Sequence, residues 1–196
     1  MATQADKTAA TRQKLLDATI HVLVSRGYKA TSTPAICRRA RVSRGGQLHH
    51  FATKQELVAA AVSHLFRLRL EELGARLAKS PVLDLKSSAS HLLEIYSGPT
   101  FYAWLELLVA ARTDASLRAL LVTLDAQFVE GAEQLCRAYL MPDAPRSQVE
   151  ATTRLILAIF DGLAAHRILV SDDGLARRAL SAAARAGLFA RRGASA

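Results

Sequence analysis

Apolar residues recur at i, i+3, i+4 and i+7 through nearly the whole chain, and the residues that break helices fall between those runs. Ten glycines and five prolines among 196 residues sit mostly at the joints of segments dominated by Ala and Leu, and strand-like alternation is nearly absent. The expectation is an all-α protein of about nine helices. Its length suits one sizeable core, or a small head fused to a larger body.

The joints divide the chain as follows. Leu15, Leu16, Ala18, Thr19, Val22 and Leu23 form one helical face that stops at Gly27, a residue suited to ending a helix. Thr33 before Pro34 reads as an N-cap for a short helix ending near Ala40. Arg41 and Val42 make a turn, and Ser43 caps a very short third helix in which Leu48 and Phe51 are expected to face the core together. Thr53 to Glu56 has the spacing of a capping box, opening a long fourth helix through Leu77. Beyond Pro81, helices are expected at about 84–97, 100–113, 115–140, 146–170 and 173–190, with Asp114 capping the third of these.

Charge is distributed unevenly. Residues 1–54 carry ten Lys/Arg against Asp6 and Asp17, a net +8, whereas residues 55–196 carry +1 of the total +9. A cationic head on a near-neutral body suits neutralisation of phosphates, which supplies most sequence-independent affinity for DNA. The competing reading is a solvated basic surface. The domain division expected from these features is 1–54 for DNA and 55–196 for a helical body.

Two short helices joined by a three-residue turn, the second capped by Ser43, are the arrangement that lays a recognition helix in the major groove. The segment TSTPAICRRARVSRGGQLHHFATK, Thr31–Lys54, resembles the helix-turn-helix of the TetR family of repressors, with Gly27-Tyr28, Ile36, Val42-Ser43, Gly45, His50-Phe51 and Lys54 at the places of that family's pattern. The resemblance covers roughly residues 11–60. It implies that Thr33 and Lys54 touch phosphates at the two edges of the motif while Arg44, Gly45 and Gln47 approach base edges. His49 reaches a phosphate or a base, and Ser43 and His50 complete the set. Two positions depart from the pattern: Arg41 stands where the family commonly has Gly, and Leu48 where it commonly has Tyr.

For the body, the resemblance implies effector binding and dimerisation, with the last two long helices building a four-helix bundle between two subunits. Leu155, Ile159, Phe160, Leu163, Leu180 and Ala184 are the candidate interface. Phe66, His91, Tyr96, Phe101, Trp104, Leu108 and Phe128 are candidates to line an effector pocket, because small molecules are held in apolar cavities with few polar anchors. The alternative for each aromatic is simple core filling. The partners implied are palindromic double-stranded operator DNA, a small-molecule effector and a second copy of the chain. A ligand-independent basic protein that binds DNA or a partner is the alternative.

No phosphate-binding Gly-rich loop, Gly-x-Ser-x-Gly elbow or nucleophile beside a base is evident, so no enzyme activity is expected. Cys37 and Cys136 lack metal or disulfide spacing, and the adjacent pair His49-His50 lacks the i, i+4 spacing of two ligands on one helix. No metal or cofactor is expected, and both thiols read as buried. Met1–Lys14 is polar, and no apolar run is long enough for a bilayer, so the expected location is the cytoplasm, away from any membrane.

Overall fold

A computed structural model describes residues 3–79, 93, 96–170 and 173–185, apart from the side chains of residues 76, 79, 173, 175–177 and 184. The described residues form eight α-helices and no strand: α1 (Gln4–Ala30), α2 (Thr33–Ala40), α3 (Arg44–His50), α4 (Lys54–Lys79), α5 (Pro99–Ala111), α6 (Ala115–Tyr139), α7 (Arg146–His166) and α8 (Asp173–Arg185). The all-α expectation holds, with a helix count close to that expected. The helix expected over 84–97, His91 on it, and the extension to 190 fall largely or wholly outside the described residues, as does the side chain of Ala184.

The chain forms two compact units. One comprises Met1–Leu68 with Pro99–Ala126, the other Arg69–Gly98 with Gln127–Ala196. In the first, α1 buries Leu15, Leu16, Ala18, Thr19, Val22 and Leu23, the stripe legible in the sequence, and packs against α2 and α5. Leu15, Leu16, Ile36, Phe51 and Leu57 join in one cluster. Each such side chain contributes about 1.5–3 kcal/mol by leaving water. The helical path of α1 breaks at Gly27, whose φ of 73° and ψ of 172° lie where L side chains are strained. A Cβ there would also stand 2.7 Å from Glu106 Oε2.

The cap of α2 differs by one residue from expectation. Ser32, not Thr33, is the N-cap, its Oγ accepting from the Ala35 amide at 3.4 Å, and Thr33 and Pro34 occupy the first positions of the helix. Ser and Thr cap almost equally well, so local chemistry alone does not choose between neighbours. Arg41 ends α2 in the left-handed region at φ 56° and ψ 42°, a conformation costing a non-glycine residue about 1–2 kcal/mol. Ser43 caps α3 as expected, accepting from the Gly46 amide at 3.0 Å. At the start of α4 the Glu56 amide donates to Thr53 Oγ1 at 3.0 Å, while the Glu56 carboxylate reaches back to the Ala52 amide at 2.8 Å.

Phe101, Ala103, Trp104, Leu107 and Ala111 are buried along α5, and Trp104 meets Phe66 edge-on with ring centroids 5.1 Å apart. Asp114 caps α6 through the Leu117 amide at 2.9 Å. In the second unit, α7 buries Val149, Thr153, Phe160 and Ala164, and Leu180 of α8 is also buried. Both cysteines are free and buried.

Candidate nucleic-acid interface and apolar pocket

A seven-residue helix is too short to persist alone, so α3 depends on its cap and on what anchors its inner side. Phe51, just past its end, is 3% exposed and carries the Arg12 guanidinium 5.4 Å over its ring. Gln47 is 1% exposed; its Nε2 donates to the Phe51 carbonyl and its Oε1 accepts from Arg44 Nη1 at 2.7 Å. Gln47 therefore faces inward and holds Arg44, contrary to the expectation that it reaches a base edge. The periodicity of so short a helix left its inner face ambiguous, and a buried amide satisfied by local partners settles it.

The outer side of α3 presents Arg44, Gly45, Leu48 and His49, a stripe at i, i+1, i+4 and i+5. Leu48 is 48% exposed and does not share the core with Phe51 as expected. A Cβ on Gly45 would meet nothing within 4 Å, so the fold itself makes no demand for glycine there. Ser43 is exposed, while Thr33 and His50 are half-buried at the margins, and the His49 and His50 rings stand edge-on at 5.4 Å. Arg38, Arg39 and Arg41 are exposed on α2 and the turn and extend the basic face. They were absent from the expected site, although their positions opposite Ile36 and Ala40 are readable from helical spacing.

Lys54 is less free than expected. Its Nζ lies 4.2 Å over the Tyr28 ring and donates to the Tyr28 carbonyl at 3.4 Å. Burial lowers its pKa from the usual lysine range, with Asp114 opposing that shift. The Tyr28 amide in turn donates to Glu106 Oε2 at 3.3 Å.

The second unit holds a cavity of about 100 Å³, lined by Arg69, Leu73, Tyr96, Phe128, Cys136, Thr153, Leu157 and Phe160 among others. Of the residues expected at a pocket, Tyr96 and Phe128 line it. Phe66, Phe101 and Trp104 are buried in the other unit, Leu108 is 41% exposed, and His91 lies outside the described residues. Phe160, expected at a subunit interface, faces this cavity, and Leu180 is 3% exposed. Leu155 is 39% exposed, Ile159 and Leu163 are half-buried, and Gly162 has open space around it. Tyr96 Oη donates to Asp161 Oδ1 at 2.6 Å. Burial raises the Asp161 carboxyl above its ordinary value, offset in part by that hydrogen bond and by Arg69. No helix among the described residues is long and apolar enough to cross a membrane, and no cluster of three metal-binding side chains occurs among them.

A cationic head that turns a capped short helix outward on a firm apolar base defines a transcriptional regulator of the helix-turn-helix type. A family model for bacterial regulatory proteins of the tetR family matches residues 15–61. An uncharacterised HTH-type transcriptional regulator of Mycobacterium tuberculosis, Rv2912c, is 31% identical over 167 residues, 83% of this chain and 85% of that relative. The HTH-type transcriptional regulator CymR of Pseudomonas putida is 36% identical over 118 residues, 59% of this chain and 58% of CymR. Among solved structures, the multidrug binding protein EbrR complexed with ethidium matches with a TM-score of 0.63 at 27% identity, covering 87% of this chain and 96% of EbrR. The chain belongs to the tetR family.

Proposed function

We propose that the chain is a homodimeric repressor that places α3 in the major groove of a palindromic operator and releases it when a small molecule fills the cavity of the second unit. The observation carrying this reading is the exposed stripe of Arg44, Gly45, Leu48 and His49 on a capped helix, within a segment of net charge +8. Arg44, steadied by Gln47, forks onto guanine O6 and N7, and Leu48 meets a thymine methyl. Gly45 lets the backbone approach the duplex. Ser43, Thr33 and His50 serve the phosphates beside the groove, with the more exposed Arg38, Arg39 and Arg41. Lys54 reaches a phosphate by exchanging the Tyr28 carbonyl for a phosphate oxygen.

In this reading residues 1–54 hold every DNA-facing group, and residues 55–196 bind the effector and pair with a second copy, in the cytoplasm. The outward side of α7, with Leu155, Ile159, Leu163 and the open Gly162, supports the pairing, because a small residue lets two helices approach closely. The cavity favours effector-relieved binding over a ligand-independent DNA-binding protein, and the structure of EbrR complexed with ethidium offers a structural neighbour that holds a small molecule.

Fluorescence anisotropy with a selected palindromic duplex tests the reading. Arg44→Ala is expected to weaken binding about 5- to 150-fold and to relax preference at one base pair, the range of one bidentate base contact. Arg39→Gln should weaken binding to all sequences alike and reduce the salt slope by about one. Equal effects of the two changes on specificity, or binding insensitive to salt, would refute the assignment.

A further inference from the structure

The cavity is apolar except at a few points, and at two of these a buried polar side chain has fewer strong partners than its chemistry accommodates. Arg69 is 7% exposed, with its guanidinium 4.5 Å from the Tyr96 ring centroid and 6.0 Å from that of Phe128. Its Nη2 donates to the Tyr96 carbonyl at 3.0 Å, one bond for a group with five N–H donors. Among the described residues no carboxylate stands within ion-pairing distance of it. Burial lowers the Arg69 pKa, opposed at longer range by Tyr96, Asp161 and Glu72, and Asp161 is held by the Tyr96 hydroxyl instead. Thr153 is 3% exposed and lines the same cavity, where the Cys136 thiol, a weak partner, is the group its Oγ1 meets and no oxygen or nitrogen completes it among the described residues. Buried donors left in this state are rare in folded proteins and point to a group that completes them.

We propose that the cavity takes a small monocarboxylate with a compact apolar body, its two oxygens forked onto the Arg69 guanidinium and its body packed against Leu73, Phe128, Leu157 and Phe160. This refines the effector reading above and rests on it. A planar guanidinium matches a carboxylate with two parallel hydrogen bonds. A cationic ligand would bring like charge against Arg69, and a neutral amide offers one acceptor oxygen in place of two. Among the described residues that line the cavity Arg69 is the one base, and a single positive charge does not match that of a phosphate dianion. The pocket is partly open and holds about 100 Å³, less than the roughly 150 Å³ of an enclosed apolar cavity that admits benzene, so a short acid is buried whole and a larger one extends toward the opening.

Calorimetric titration of the full chain without DNA tests the ligand class, using butanoate, hexanoate, benzoate and cyclohexanecarboxylate, each beside its primary amide and primary amine. At least one carboxylate is expected to bind about tenfold or more tighter than its amide, in keeping with the roughly doubled strength of charge-assisted bonds, and the amines should give no heat. Arg69→Met, with its fold checked by circular dichroism, should bring the carboxylate down to the level of its amide while leaving the amide bound. If that variant does not fold, the comparison of ligands on the unaltered protein decides the matter alone. Equal binding of acid and amide, preference for an amine, or silence from all four acids at millimolar concentration would overturn the proposal. DNA release, followed separately by anisotropy, keeps the two readings apart. An acid that binds without releasing DNA supports the ligand class and removes effector relief. An amine that releases DNA does the reverse.

Discussion

Gly45 separates what the fold needs from what the proposed contact with DNA needs. With nothing within 4 Å of the Cβ it lacks, Gly45→Ala is expected to leave the head folded and to stabilise it by up to about 1 kcal/mol through helix propensity. The same methyl would stand between the backbone and the duplex. Thermal denaturation should therefore show an unchanged or higher Tm while anisotropy shows weaker operator binding, and intact binding would remove Gly45 from the interface. Gln47 illustrates the opposite case. Its residue type suits adenine recognition, and the sequence reading assigned it there, yet its amide is spent on the Phe51 carbonyl and on Arg44. A side chain's chemical competence is legible in a sequence, but the direction in which a seven-residue helix turns it depends on contacts made elsewhere in the chain.

Among the elements, those governed by local rules were the most legible. The caps at Ser43 and Asp114 and the buried face of α1 each follow from chemistry within a few residues and stand where expected, while Gly27 breaks the path of α1 and the helix resumes to end at Ala30. The aromatics were not separable in this way. Phe66, Phe101, Trp104, Tyr96 and Phe128 share the same helical spacing and apolarity, and only tertiary packing decides which of them border a void. The most consequential cap is that of α3. Ser43→Ala removes the acceptor of the Gly46 amide and is expected to cost about 1 kcal/mol, lowering the denaturation midpoint and weakening specific DNA binding more than binding to random duplex. A loss shared equally by both duplexes would place Ser43 in global stability alone.

For the whole molecule, the testable quantity is the proposed pairing of two chains. Leu155 is exposed on α7, so Leu155→Glu should be tolerated by the isolated chain. In a pair of α7 helices it would bury a charge, a strongly unfavourable change. Sedimentation equilibrium is expected to find twice the 21.2 kDa chain mass for the unaltered protein and a shift toward single chains for the variant, and an unshifted dimer would move the interface off this face. One detail of the first unit bears on any attempt to rearrange the molecule. The Glu106 carboxylate on α5 receives the Tyr28 amide at the broken end of α1, in space that only a glycine at 27 leaves open. The reading head is thus no detachable cassette. A chimera that transplants it as far as Lys54 would carry the groove-facing residues across and leave their scaffold unfastened, and α5 has to travel with it.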